Sequence, residues 1–242
     1  MLRERRNARS SSTAELVNPK ATAPNAAATS GHFPLPKPKF ARGKSFADAL
    51  RLRKTTREMS DENMGAQLLS NLLFAACGVN RRRGPFDMRG ITAASASNSQ
   101  EIDVYVALRD GAYRFDAQRH ELLSVLREDV RRLALGPHQP PISPLAPVQL
   151  IFAVDIRKLE NTAGFDEPGL HDREVQKSYY FVDTGIIAAN VYLFAASQGL
   201  ACWFHNCDKV ALTTKLRLRK DQRVLFAQTV GYPARARGRR SK

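Results

Sequence analysis

Residues 92–111 read TAASASNSQEIDVYVALRDG, and the stretch changes character halfway. Ala93 to Ser99 is a run of seven Ala, Ser and Asn residues. From Glu101 the text becomes a strand, with Val104, Val106 and Leu108 alternating with Asp103, Tyr105 and Ala107. Asp110-Gly111 then supplies a hairpin turn. Two readings of the small polar run stand side by side. It is a flexible linker, or it is a surface that something flat with a polar edge must approach closely.

Working outward, "AYRFD" completes the hairpin, "HELLSVL" reads as a third strand, and Glu128 to Leu135 as a short helix. A Pro-rich loop, Gly136 to Pro147, leads to "VQLIFAVD", a nearly continuous apolar run expected to be a central buried strand. Asp183 opens "DTGIIAANVYLFAASQG", whose apolar and small residues go all the way round, with Gly199 as the stop. A helix with no polar face is buried at the centre of a domain or between two subunits. "RVLFAQTVG" is the last strand, closed by Gly231-Tyr232-Pro233. Towards the N-terminus, Ser45 can cap a helix through Phe46, Ala49, Leu50 and Leu52. Ser60 can cap a second, with Met64, Leu68, Leu69, Leu72 and Leu73 on one face and Gly78 as the stop. These elements predict an α+β domain: a central mixed or antiparallel sheet flanked by helices.

A chain of 242 residues that is 43% hydrophobic can bury one sizeable core. The net charge of +15 suggests nucleic acid until it is placed along the chain. Residues 1–44 carry nine Lys/Arg against two acids, and residues 234–242 carry five against none. The body between them is nearly balanced, and the Arg81-Arg82-Arg83 run falls in a loop, so dedicated nucleic-acid recognition is not expected. Residues 1–40 read as a disordered basic tail, 41–237 as the folded domain, and 238–242 as a basic C-terminal tail. Three cysteines make no disulfide framework. "CWFHNC" brings Cys202, His205 and Cys207 together without paired CxxC spacing, so no metal site is expected. No run reaches membrane-spanning length, and Arg5-Arg6 is followed by no apolar segment, so a cytoplasmic location is the expectation.

No GxSxG elbow, GxGxxG turn or phosphate loop is present, and the five histidines lack acidic partners at useful spacing. No catalytic acid, base or nucleophile is therefore nominated, and an enzyme here would take its chemistry from a cofactor. Four pieces could hold one. Arg53-Lys54-Thr55, with Arg57 following, offers a bidentate fork, a point charge and a hydroxyl to a phosphate, or is a solvated helix end. Arg235 and Arg237 in "GYPARARG" could clamp the same phosphate, or belong to a basic tail. Ser95, Asn98 and Gln100 supply hydroxyl and amide groups while Ala96 leaves backbone open, which suits a flavin edge as well as it suits a loop. Gly199 and Leu200 end the buried helix, where backbone could approach a flat ring or simply cap the helix.

Taken in order, "RKTTRE", "ASASNSQ" before a strand, a buried helix ending "QGL", and "GYP" with arginines resemble the flavin-dependent nitroreductase superfamily, over about Pro34 to Arg237. "LLFAACGVNRRRG", "SNSQEIDVYVA", "FVDTGIIAANVYLFAASQGLA" and "AQTVGYP" are closest to its SagB/thiazoline-oxidase-like dehydrogenase branch. The resemblance implies a nitroreductase-like α+β fold, a homodimer through the long helix, and two FMN sites at the subunit interface. It assigns Arg53, Lys54 and Thr55 to the family's phosphate-binding Arg-Arg-Ser, and Arg235 and Arg237 to the closing basic pair. Ser95, Ala96, Asn98 and Gln100 match the segment that reaches the flavin from the other subunit, and Gly199 and Leu200 the backbone beside the ring. Ala94 stands where the family usually has Pro, and Lys54 where it has Arg. The implied activity passes electrons from NAD(P)H through FMN to a small organic acceptor such as a nitroaromatic, quinone or enone. The alternatives are azoline or heterocycle oxidation and a non-enzymatic flavin-binding homologue.

Overall fold

The computed structural model describes residues 31–40, 43–136, 145–162 and 172–234. The first half contains β1 (His32–Pro34), α1 (Phe46–Leu52), α2 (Ala66–Cys77), β2 (Val79–Arg81), β3 (Gly90–Ile91), β4 (Ile102–Leu108), β5 (Gly111–Asp116) and β6 (Glu121–Leu126). The second contains α3 (Arg131–Ala134), β7 (Val148–Asp155), α4 (Ile156–Glu160), α5 (Arg173–Gln198), β8 (Ala201–His205), α6 (Lys209–Lys215) and β9 (Gln222–Gly231). Seven strands form one sheet in the order β1-β6-β5-β4-β7-β9-β8, antiparallel at every pairing. The expected α+β architecture is present, and its sheet is antiparallel rather than mixed. β2 and β3 make a separate small ribbon.

β7 is central because it has no polar face to show. Leu150, Phe152 and Val154 point into the larger core with α2 and α5, while Ile151 and Ala153 point into a second core with Val130, Ala134 and Leu212. Each fully buried large side chain is worth about 1.5–3 kcal/mol. Two-sided cover also explains β4. Although Asp103 and Tyr105 alternate with apolar residues along it, all seven residues are buried. The polar position is neutralised in place: Asp103 accepts from Lys158 Nζ at 2.7 Å and from Gln222 Nε2 at 3.2 Å.

Two helix starts differ from the sequence reading. α2 begins after Gly65, not after Ser60. Met59 instead pairs with Pro233, and the Ser60 N–H donates to the Tyr232 carbonyl at 2.9 Å, so this segment is spent on pinning the chain's C-terminal side. α5 begins ten residues before Asp183, where Asp172 caps it by accepting from Glu174 N at 2.7 Å and Val175 N at 3.2 Å. α5 ends as expected at Gly199, whose φ of +71° places it in the left-handed region that favours glycine. By length and composition α5 would span a bilayer. Here one side of it, through Ile187, Val191, Phe194 and Ala195, is core. The opposite side exposes Phe181, Val182, Gly185 and Ala189.

Candidate functional site

At the C-terminal end of α5 lies a cleft of about 220 Å³, lined by Lys44, Lys54, Tyr192, Gly199, Leu200 and Cys202 among others. Its walls are fixed by backbone bonds. Lys44 N donates to Ser197 O at 3.0 Å, holding the lead-in to α1 on the end of α5. Thr56 N donates to Cys202 O at 2.9 Å, laying the segment after α1 along β8. Tyr192 joins these parts from the helix. Its Oη accepts the Phe204 N–H at 2.9 Å and so can donate to Thr55 Oγ1 at 3.0 Å. The Arg53 guanidinium sits 5.4 Å from the Tyr192 ring centre, and that of Arg57 sits 5.1 Å from the Trp203 ring.

The cleft is electropositive: Lys44 and Lys54 line it, and no carboxylate does among the described residues. The Cys202 thiol, pushed up to about 12 by burial, stays uncharged and accepts from Gln228 Nε2 at 3.1 Å. A Cβ built on Gly199 meets nothing within 4 Å, so its backbone faces open space. Of the residues expected here, Lys54, Gly199 and Leu200 line the cleft, while Arg53 and Thr55 do not line it and contact Tyr192, which does. Arg235 and Arg237 lie outside the described residues. The chain leading to them does arrive at this side, with Pro233 on the cleft wall and Ala234 N donating to Glu58 O at 3.1 Å. Lys44 and Tyr192 were missed. Lys44 precedes the cap Ser45 and reads as a helix lead-in, and Tyr192 is one aromatic in an apolar helix.

The Ser95–Gln100 segment meets the same helix near its middle, at Asp183. It turns through a short 3₁₀ helix, Ala96–Asn98, and holds Ser97, Asn98 and Gln100 at φ of 46°, 57° and 49°. Such left-handed residues cost on the order of 1–3 kcal/mol each and need support. The support is visible. Gln100 N donates to Ser95 Oγ at 3.0 Å, and Gln100 Nε2 to Arg89 O at 2.6 Å and Asn98 Oδ1 at 3.0 Å. Asn98 Nδ2 donates to Arg89 O at 3.3 Å, and Ala96 N to Asp183 Oδ2 at 3.0 Å. The side chains expected to face a ring therefore hold the loop's shape, and they do so where Ala94 cannot supply a proline's rigidity.

Beneath the loop, Glu101 is fully buried and its Oε2 accepts from Ser99 Oγ at 2.6 Å. Its Oε1 has no donor of its own, and the neighbouring carboxyl of Asp183 can serve it only across a shared proton. Burial raises both carboxyls, Glu101 to about 7, against the lowering effect of its bond from Ser99.

The two regions are not brought together within one chain. Asp183, which anchors the loop, and Gly199, which lines the cleft, are sixteen helical positions apart, roughly 24 Å at an α-helical rise of about 1.5 Å. The "CWFHNC" stretch forms β8 and the turn after it. His205 pairs with Thr229 Oγ1 at 2.7 Å and Asn206 O at 2.8 Å, burial holds it below its usual range, and no metal-holding cluster occurs among the described residues.

The seven-stranded sheet flanked by helices is the fold of a known family. The chain belongs to the nitroreductase family, whose model matches residues 50–232. A Methanocaldococcus jannaschii protein named as a nitroreductase is 32% identical over 160 residues, covering 63% of this chain and 74% of that protein. A crystal structure described as a nitroreductase of Ralstonia eutropha superposes with a TM-score of 0.73 at 30% identity, over 89% of this chain and 96% of that one. The NADPH:FMN oxidoreductase of Vibrio harveyi, solved with NAD+, shares the fold, with a TM-score of 0.53 at 18% identity over 78% of this chain and 69% of that one.

Proposed function

We propose that this chain is an FMN-dependent oxidoreductase that works as a homodimer and passes electrons from NAD(P)H to a small organic acceptor such as a nitroaromatic, quinone or enone. Family membership supports an oxidoreductase, and a nucleotide-binding, FMN-named neighbour shares the fold. The observation that carries the flavin is the cleft at the end of α5: lysines, a hydroxyl-bearing anchor and an open glycine backbone, with no carboxylate lining it among the described residues.

The residues fit the group. Lys44 and Lys54 would hold the phosphate as point charges, with Arg53 steadied on the Tyr192 face and Thr55 on its hydroxyl. The sequence positions of Arg235 and Arg237 would add forks from the returning C-terminal segment. Gly199 and Leu200 would lie along the ring, where the left-handed turn at Gly199 turns its backbone to open space. Ser95, Ala96, Asn98 and Gln100 would come from the other subunit, presenting a rigid turn. When bound, FMN would supply two-electron redox chemistry between nicotinamide and acceptor in a shared slot. The chain's own contribution is orientation and exclusion of water, and its cationic cleft favours negative charge.

The exposed Phe181, Val182, Gly185 and Ala189 on α5 fit an interface with a second copy. The deciding experiment is the visible absorption spectrum of the purified protein before and after anaerobic NADH or NADPH. Flavin bands that bleach are the expected result. A colourless protein that takes up no added FMN would sink the assignment.

A further inference from the structure

Beyond Tyr105 and Arg114 the ladder between β4 and β5 stops, although both strands run on. β4 continues back to Ile102 on β7, and β5 continues to Asp116 on β6. The two strands therefore fork, and the backbone edges facing each other across the fork have no strand partner there. Buried backbone rarely stays unpartnered. A cavity of about 460 Å³ opens at the fork, within the range of about 300–1,000 Å³ typical of small-molecule sites.

Its lining has two characters. Ile102, Val104 and Phe115 make an apolar floor on the sheet face that packs on α2 and α5, and Arg89, Arg114 and Lys158 bring cations to the wall, Arg114 from the opposite face across the gap between the strands. The carboxylates present are already engaged. Asp103 accepts from Lys158 and Gln222. Asp116 accepts the backbone N–H groups of Gln118 at 2.9 Å and Arg119 at 3.1 Å. Arg114 is different: it makes only a long ion pair with Asp103, at 3.9 Å and beyond hydrogen-bond range, and its guanidinium has no hydrogen bond among the described residues. A planar five-donor guanidinium at one mouth of the opening and an apolar floor at the other suit a carboxylate on a compact apolar body that lies between the two strands. An inorganic anion would leave the floor bare.

We propose that the β4–β5 fork is a binding site for a small organic carboxylate, its carboxylate on the Arg114 guanidinium and its apolar body against Ile102, Val104 and Phe115. The site stands apart from the redox cleft, for Lys44, Lys54, Tyr192 and Gly199 do not line it. It shares only Asn98 and Gln100 with the proposed flavin contacts.

The test is titration of the full-length protein with benzoate and with its neutral isostere benzamide, by calorimetry or ligand-observed NMR at physiological salt. Benzoate should bind at least tenfold more tightly than benzamide, and Arg114→Gln should erase that preference while leaving benzamide unchanged. Ala117→Phe, which fills the cavity without altering charge, should abolish both. Equal binding of the two probes, or benzoate binding that Arg114→Gln leaves intact, overturns the proposal and assigns any affinity to other cationic surfaces, the cleft at the end of α5 included. FMN uptake is followed separately by absorbance. Benzoate binding without FMN uptake removes the redox reading alone, and FMN uptake without benzoate binding removes this site alone.

Discussion

Replacing Glu101 by Gln should stabilise the protein, and only at high pH. Burial raises the Glu101 carboxyl from 4.5 to about 7. In that window the folded chain holds a proton that the unfolded chain releases, so stability falls as pH rises. Below the unfolded value the contribution is fully present, and above the folded value it is lost. At about 1.4 kcal/mol per unit, a window of about 2.5 units amounts to roughly 3 kcal/mol as an upper figure, because the neighbouring Asp183 carboxyl is shifted the same way. Glutamine cannot ionise. Its carbonyl can still accept from Ser99 Oγ, and its amide can donate to Asp183 where the shared proton stood. Urea unfolding should therefore show Glu101→Gln about 2–3 kcal/mol more stable than wild type near pH 8 and close to wild type near pH 5. The corresponding Tm difference near pH 8 is on the order of 4–12 °C for a domain of this size. A variant that differs from wild type equally at both pH values would show that the pair does not share a proton in the fold.

Other substitutions probe the cleft and the bare side of α5. Tyr192→Phe removes the acceptor of the Phe204 N–H and the donor to Thr55. It should cost about 1–2 kcal/mol in unfolding experiments and weaken FMN retention roughly tenfold; unchanged retention would separate the Thr55 anchor from cofactor binding. Gly199→Ala meets no steric obstacle, so its cost should be the left-handed conformation alone, about 1–2 kcal/mol by thermal unfolding. A larger loss would mean the end of α5 is packed more tightly than it looks. Gly185→Arg has open space around it in a single chain, so it should leave secondary structure intact and shift the mass measured by light scattering from dimer to monomer.

Much of the sheet was legible, and the reason is period. "VQLIFAVD" is almost wholly apolar and became the interior strand β7, buried along its whole length, and Asp110-Gly111 did make the β4–β5 hairpin. Helix starts were less legible, because a capping residue is only one of several uses for a serine. Ser60 carries the same signal as Ser45, yet its backbone pairs with Tyr232, a contact 172 positions away that no local pattern encodes. Asp172 with Glu174 was a readable start for α5, outweighed by the more apolar text after Asp183. At the candidate site, residue types were visible but their orientation was not. Asn98 and Gln100 offer the amides a flavin edge would use, and the fold spends them on the Arg89 carbonyl. The β4–β5 fork had no sequence signal, since it arises from where two strands part rather than from what either one contains.

The separation between loop and cleft and the bare side of α5 have one explanation in common, and it can be tested by a single cysteine. Asp183 and Gly199 are equally far from position 191, so a two-fold axis crossing α5 near that point would lay each loop over the partner's cleft. Exposed Ala189 lies on the outward side within one turn of this midpoint, whereas exposed Ser178 is eleven positions further back, about 16 Å by helical rise. If two copies of α5 run antiparallel across the axis, paired 189 positions approach each other and paired 178 positions stand on the order of 30 Å or more apart. A disulfide needs Cα atoms within about 7 Å. Ala189→Cys should thus crosslink into a covalent dimer under mild oxidation, and Ser178→Cys should not. The native thiols Cys77, Cys202 and Cys207 are all buried and do not confuse the result. Crosslinking at 178 in preference to 189 would place the axis elsewhere and leave loop and cleft on separate surfaces, so that no single flavin could touch both.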